Sequence, residues 1–231
     1  MQARHPNGLN RHVKPIVALV PCGYAPRSML NDRSSILSLL ETRRSGNPRE
    51  LVGPGPTPQE LERILTIAAR VPDHGKLAPW RFVTVAEDQR DDLAALLRPA
   101  LAEEDPDANP AVHEKAEQFA RYAGQMVVLV SAPAAGHKIP VWEQQLSCGA
   151  AGMNLLLAAH ALGYVAGWIT GWQAYSPIVN AAFCNECERI GGFVFIGHPG
   201  RELVERPRAE LSAVWRPWQP NPPRYGEGDH A

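Results

Sequence analysis

Apolar residues along this chain recur at two different spacings, and the switches between them mark out most of its elements. Ile36, Leu37, Leu39 and Leu40 form one face of a helix that ends at Arg43-Arg44-Ser45. Thr57-Pro58-Gln59-Glu60 is a capping box with proline at the first helical position. It starts a helix with Leu61, Ile64, Leu65 and Ala68 on one side. Pro72 biases Val71 away from the α region, so this helix ends near Arg70, and Pro79 keeps the chain extended as it enters a strand at 80–85. Residues 89–101 place Leu93, Leu96, Leu97 and Ala100 at helical spacing. An acidic loop follows at 103–109, and 112–122 predicts another helix. The run 126–130 is too short for a helix and too apolar for a loop, which predicts a buried strand.

The longest predicted helix covers 142–162 and is closed by Gly163 as its C-terminal cap. Gly149, Ala150, Ala151 and Gly152 thin its middle, so another backbone can approach closely. A buried central helix and a subunit interface would both use that. Strands follow at 165–170 and 192–196, with a short helix from Ser176-Pro177 between them. Strands separated by helices cannot be tight hairpins, so the pattern predicts a mixed sheet with helical crossovers. Residues 1–30 carry four prolines, scattered basic residues and no sustained period. They read as a disordered extension, with Met29 as the natural start, ahead of a single domain at 31–215 and a tail at 216–231.

Composition narrows the classes. At 231 residues and 45% hydrophobic content the chain is large enough for one well-filled core. A net charge of -1 supplies no basic field for nucleic acid. The apolar run 16–20, preceded by Arg4, Arg11 and Lys14, is far short of the ~20 residues that span a bilayer, and Pro15 and Pro21 bracket it too tightly for a signal peptide. The expected location is the cytoplasm. Cys184-Asn185-Glu186-Cys187 has no second cysteine or histidine pair to complete a zinc shell, and it follows a helix rather than opening one, as a redox pair should. The nucleophile elbow, the phosphate-binding P-loop, the zinc-protease helix and the dinucleotide fingerprint are all absent.

The segment 70–82 packs Arg70, His74, Lys76 and Arg81 with two helix-stopping prolines between an apolar helix and an apolar strand. It reads either as a ligand-reading loop or as a solvated connection. Three further segments accompany it: Arg43-Arg44-Ser45, the stretch 137–145 with His137-Lys138-Ile139-Pro140, and Gly163 to Gly171 containing Trp168-Ile169-Thr170. In this order, and with Gly192 to Gly197, they resemble the flavin-dependent nitroreductase family over residues 33–200, and most of all its small NAD(P)H nitroreductase subgroup.

The resemblance implies an α+β fold in which a mixed β-sheet is flanked by helices, in an interlocked homodimer with flavin mononucleotide (FMN) at the interface. It implies that Arg43, Arg44 and Ser45 contact the FMN phosphate and ribityl chain, and that Arg70 and His74 reach the flavin from the other subunit. It further implies that Trp168, Ile169 and Thr170 pass beside the flavin ring, and that Ala158, Ala159, His160, Ala161, Leu162 and Gly163 lie near a nicotinamide nucleotide. Ile169 and Val141 depart from the basic residues common in the subgroup. A phosphomonoester carries ~-1.5 to -2 charges, which arginine meets bidentately. Arg43 and Arg44 project ~100° apart on a helix, so both face one ligand only where the helix ends. Arg206 and Arg208 could add phosphate charge, with no motif to place them. The implied activity is ping-pong hydride transfer from NAD(P)H through FMN to a small-molecule acceptor such as a nitroaromatic or quinone. No catalytic side chain and no metal are needed. The alternatives are a flavin-binding module for storage or sensing, and a scaffold without cofactor.

Overall fold

The computed structural model describes residues 29–220, so the expectations for 1–28 and for the end of the C-terminal tail lie outside the described residues. Among the described residues five strands form one sheet: β1 (Leu51–Val52), β2 (Trp80–Val85), β3 (Gln125–Ser131), β4 (Val165–Ile169) and β5 (Arg189–Pro199). β5 is central. It pairs with β3 on one side and with β4 and then β1 on the other, while β2 lies outside β3. The α+β class holds, and the four pairings among the described residues are all antiparallel. Helical connections of these lengths permit either direction, so the chain pattern did not decide it.

The period-2 alternation along β3 and β5 sorts two apolar sets to opposite faces. Val127, Val194 and Ile196 pack with Ile64 and Ala68 of α2 (Pro58–Ala68) and with Leu155, Ala158 and Ala159 of α5 (Val141–Ala161). Met126, Val128, Phe193 and Phe195 pack with Leu93 and Leu97 of α3 (Arg90–Glu104) and with Phe119 of α4 (Pro110–Ala120). Phe119 meets Phe193 and Phe195 edge to face, with centroids 5.1 and 5.6 Å apart.

Local signals match well where side chains cap helices. The Thr57–Glu60 capping box forms in both directions, and Ser176 caps α6 (Pro177–Phe183). At the end of α5, Gly163 has φ +96° and Tyr164 N–H reaches the Ala159 carbonyl at 3.0 Å, a Schellman closure. β5 is longer than its apolar run, and β1 is too short to show a period. α1 (Ile36–Thr42) behaves differently from a core helix. Leu39 is buried, whereas Ile36 and Leu37 are 80% and 68% exposed. The small residues of α5 also divide in role. A Cβ on Gly152 would lie 2.6 Å from the Trp168 ring, whereas Gly149 faces open space.

Candidate functional site

α1 stops at Thr42, and Arg43 already has extended backbone. The chain then runs along β4: Gly46 N–H donates to the Ala166 carbonyl at 3.2 Å, and Gly167 lies directly under it. A Cβ on Gly167 would be 2.4 Å from the Gly46 oxygen and 3.0 Å from the Pro48 ring. Only a residue without a side chain permits this approach, which sets Gly46 against Val165 and Ala166, brings Pro48 and Arg49 to Ile169 and Thr170, and leaves Arg43-Arg44-Ser45 beside the start of β4. Gly167→Ala should therefore destabilise the fold by about 1–3 kcal/mol, the cost of overpacking a tight contact. Chemical denaturation measures this, and an unchanged midpoint would show that the two segments are not held together.

Arg43 is half-buried. Its Nη2 donates to Ser45 Oγ at 2.9 Å, while its Nε is buried without a partner. Arg44 donates from Nε to the Val204 carbonyl at 2.7 Å and from Nη1 to the Ser45 carbonyl at 3.0 Å. Arg208 donates to the Arg43 carbonyl at 3.1 Å. Burial lowers the Arg43 pKa, and the charges of Arg208, Arg44 and Arg206 push it further the same way against a single opposing carboxylate, Glu205. The guanidinium stays charged. The cluster is thus four cations converging around an unsatisfied donor, an arrangement suited to a phosphate.

Asn31 was not visible as part of this site. It sits at φ +58°, its Oδ1 accepts the Arg44 N–H at 2.8 Å and its Nδ2 donates to the Arg44 carbonyl at 3.1 Å. That pair of bonds fixes the backbone carrying the arginines. An asparagine in the turn before the helix was the available signal.

His160 is fully buried. Its Nε2 accepts the Ala166 N–H at 3.1 Å, and its Nδ1 has no partner. Burial lowers its pKa to about 4, with the nearby charge of Arg43 adding to the effect. Ala158 and Ala159 are also in the core, and Leu162 packs against it. The side chains of Ala158, Ala159 and His160 face the core, so a nicotinamide nucleotide at 158–163 would meet this helix end through its backbone and through Ala161. An apolar helix end docked on a sheet must bury the three core-facing positions. Ala161 is exposed, and the Arg33 guanidinium covers Gly163.

The loop 70–79 is shaped internally. Asp73 accepts the N–H groups of Leu77 and Ala78 at 3.1 and 2.8 Å, and Ser147 of α5 donates to the Pro72 carbonyl at 2.5 Å. Arg70 is exposed, and His74 Nδ1 lies 2.8 Å from Glu143 Oε2. Arg81 forms an ion pair with Glu188, and it is the main cause holding that carboxylate's pKa down to about 2. Trp168 donates from Nε1 to the Gly191 carbonyl at 3.1 Å. Ile169 is half-buried against the core and Val141 is exposed at the start of α5.

One chain does not unite these parts. His74 is tied to Glu143 in the first turn of α5, and Arg43 acts on His160 in its last turn. Seventeen residues at 1.5 Å per residue separate them by about 25 Å. Among the described residues no cluster of side chains could hold a metal ion, and no helix is long and apolar enough to cross a membrane.

The Nitroreductase family pattern matches residues 40–198. A Haemophilus influenzae protein named "Putative NAD(P)H nitroreductase" is 38% identical over 172 residues, covering 74% of this chain and 91% of that protein. The fold is similar to a nitroreductase-like family protein from Bacillus cereus, with TM-score 0.70 and 19% identity over 80% of this chain and 97% of that one. It is also similar to a nitroreductase with bound FMN from Bacteroides fragilis, with TM-score 0.60 and 20% identity over 79% of this chain and 98% of that one. The extent of the family match, together with a relative this similar across nearly its whole length, shows that the chain belongs to the nitroreductase family of oxidoreductases.

Proposed function

We propose that the protein is an FMN-dependent oxidoreductase that draws electrons from NAD(P)H and passes them to electron-poor acceptors, working as a cytoplasmic homodimer. The observation that carries this reading is the unpaired, buried Arg43 Nε inside a cluster of four arginines, beside the start of β4. Arg43, Arg44, Arg208 and Ser45 would hold the phosphate and ribityl end, with Arg206 adding charge. Backbone at Trp168, Ile169 and Thr170 would flank the ring. The Bacteroides fragilis relative in fold has FMN bound, and the Haemophilus influenzae relative carries NAD(P)H in its name. When bound, the flavin supplies the hydride chemistry. The side chains around it bind, orient and exclude water, and none is required as a nucleophile.

The remaining parts, His74 and Arg70, would come from a second copy: His74 lies about 25 Å from Arg43 along α5, while Arg70 is exposed beside Asn154 of the same helix. Exposed apolar residues mark where that copy would sit: Ile36 and Leu37 on α1, and Trp142 and Leu146 on α5, both 61% exposed, next to the open face at Gly149. Light scattering should return twice the chain mass. A monomer that holds flavin at full occupancy would remove Arg70 and His74 from the site.

The test of the whole reading is the absorption spectrum of the purified protein, followed by anaerobic titration with NADH and NADPH. Flavin bands that bleach rapidly are expected. Flavin that binds but resists bleaching would favour a storage or sensing protein, and a colourless protein that takes up no added FMN would refute the reading.

A further inference from the structure

A second feature lies beside the C-terminal end of β4. The turn Pro48–Glu50, α4 and the segment 169–173 enclose a cavity of about 600 Å³, and Ile169 and Thr170 belong both to its wall and to the stretch assigned to the flavin ring. We propose that this cavity is the acceptor pocket and that it selects flat aromatic acceptors bearing a carboxylate. The proposal rests on the flavin reading above and adds to it the class of substrate.

The wall supplies both halves of such a ligand. Phe119, Tyr122 and Trp172 line it, with Phe119 and Tyr122 edge to face at 5.8 Å, so a flat ring finds aromatic surface. Arg49 and Lys115 line it too, and no aspartate or glutamate does. Arg49 is already oriented. Its Nε donates to the Tyr122 hydroxyl at 2.8 Å, and the Nη1 and Nη2 ends have no hydrogen-bond partner among the described residues, which suits a bidentate carboxylate. The acidic residues next to these cations in sequence are directed elsewhere, Glu50 to Asn47 at 3.0 Å and to Arg201 at 3.3 Å, and Glu114 to Gln118 at 3.1 Å. Two cations on an aromatic wall with no carboxylate to neutralise them favour an anionic ring over its neutral isostere.

The test compares 4-nitrobenzoate with 4-nitrobenzamide, using flavin-loaded enzyme and NADPH at low ionic strength. The amide has nearly the same shape, no charge and a more electron-withdrawing substituent, so any preference for the anion runs against intrinsic reactivity. The expected preference in kcat/KM for the anion is about tenfold, as for one charge-assisted bidentate contact. Arg49→Gln and Lys115→Gln should each reduce that preference severalfold. Equal kcat/KM for the two acceptors, or a preference that neither substitution alters, overturns the proposal. If the protein carries no flavin or does not bleach, the flavin reading fails on its own, and equilibrium dialysis of the two compounds still decides the cavity. Tighter binding of 4-nitrobenzoate that Arg49→Gln abolishes supports the anionic pocket, and indistinguishable binding of both compounds refutes it.

Discussion

Lowering the pH from 7 to 4 should remove about 3 kcal/mol of stability through His160 alone, since one pKa unit corresponds to 1.36 kcal/mol. In the folded chain His160 is held neutral, its pKa lowered to about 4 by burial and by Arg43. In the unfolded chain it titrates near 6.5. Between those values the unfolded state binds the extra proton, so stability falls as pH drops through this window. Above about 6.5 both states are neutral and the effect vanishes, and below about 4 both are protonated and no further loss accrues. His160→Gln replaces the imidazole with a group that can accept the Ala166 N–H and does not titrate. Denaturation midpoints taken at fixed protein concentration should fall steeply with pH in the parent and much less in the variant. Parallel slopes would mean that other groups control the acid response.

Arg43→Ala should weaken FMN binding by about 1.5–3 kcal/mol, the range for a charge-assisted hydrogen bond. Its effect on the flavin-free protein should have a different sign. Arg43 is buried among Arg208, Arg44 and Arg206, all of which repel it, so alanine relieves repulsion when no anion is bound. The melting temperature with saturating FMN should therefore fall, while that of the flavin-free protein should hold or rise. Differential scanning calorimetry with and without FMN separates the two. A substitution that lowers both equally would make Arg43 a packing residue, and one that alters neither would move the phosphate elsewhere.

The parts of the fold legible in sequence were those that depend on near neighbours. The Thr57–Glu60 box, the proline boundaries at 72 and 79, the glycine cap at 163 and the apolar run at 126–130 each act over a few residues, and each forms as read. The direction of strand pairing, the two-residue β1 and the full length of β5 depend on which strands meet, and no local spacing encodes that. The apolar face of α1 shows the limit in another way. Its spacing is correct for a buried helix, but Ile36 and Leu37 face outward, because a sequence period reports that a face is apolar and not what covers it.

The candidate site divides along the same line. By itself the sequence determined that two arginines end a helix, that a histidine-bearing loop lies between two prolines and that a glycine-rich strand follows a long helix, because each of these is a matter of residue type and short spacing. Only the tertiary structure decided that Gly167 lets the segment after the arginines lie along β4, and that Asn31 and Arg208 bind the backbone at Arg44 and Arg43. It alone also decided that His160 faces the core and that about 25 Å of α5 separates His74 from Arg43. Those outcomes arise from contacts between residues far apart in the chain, where backbone approach and burial select among side chains that the sequence leaves equally eligible.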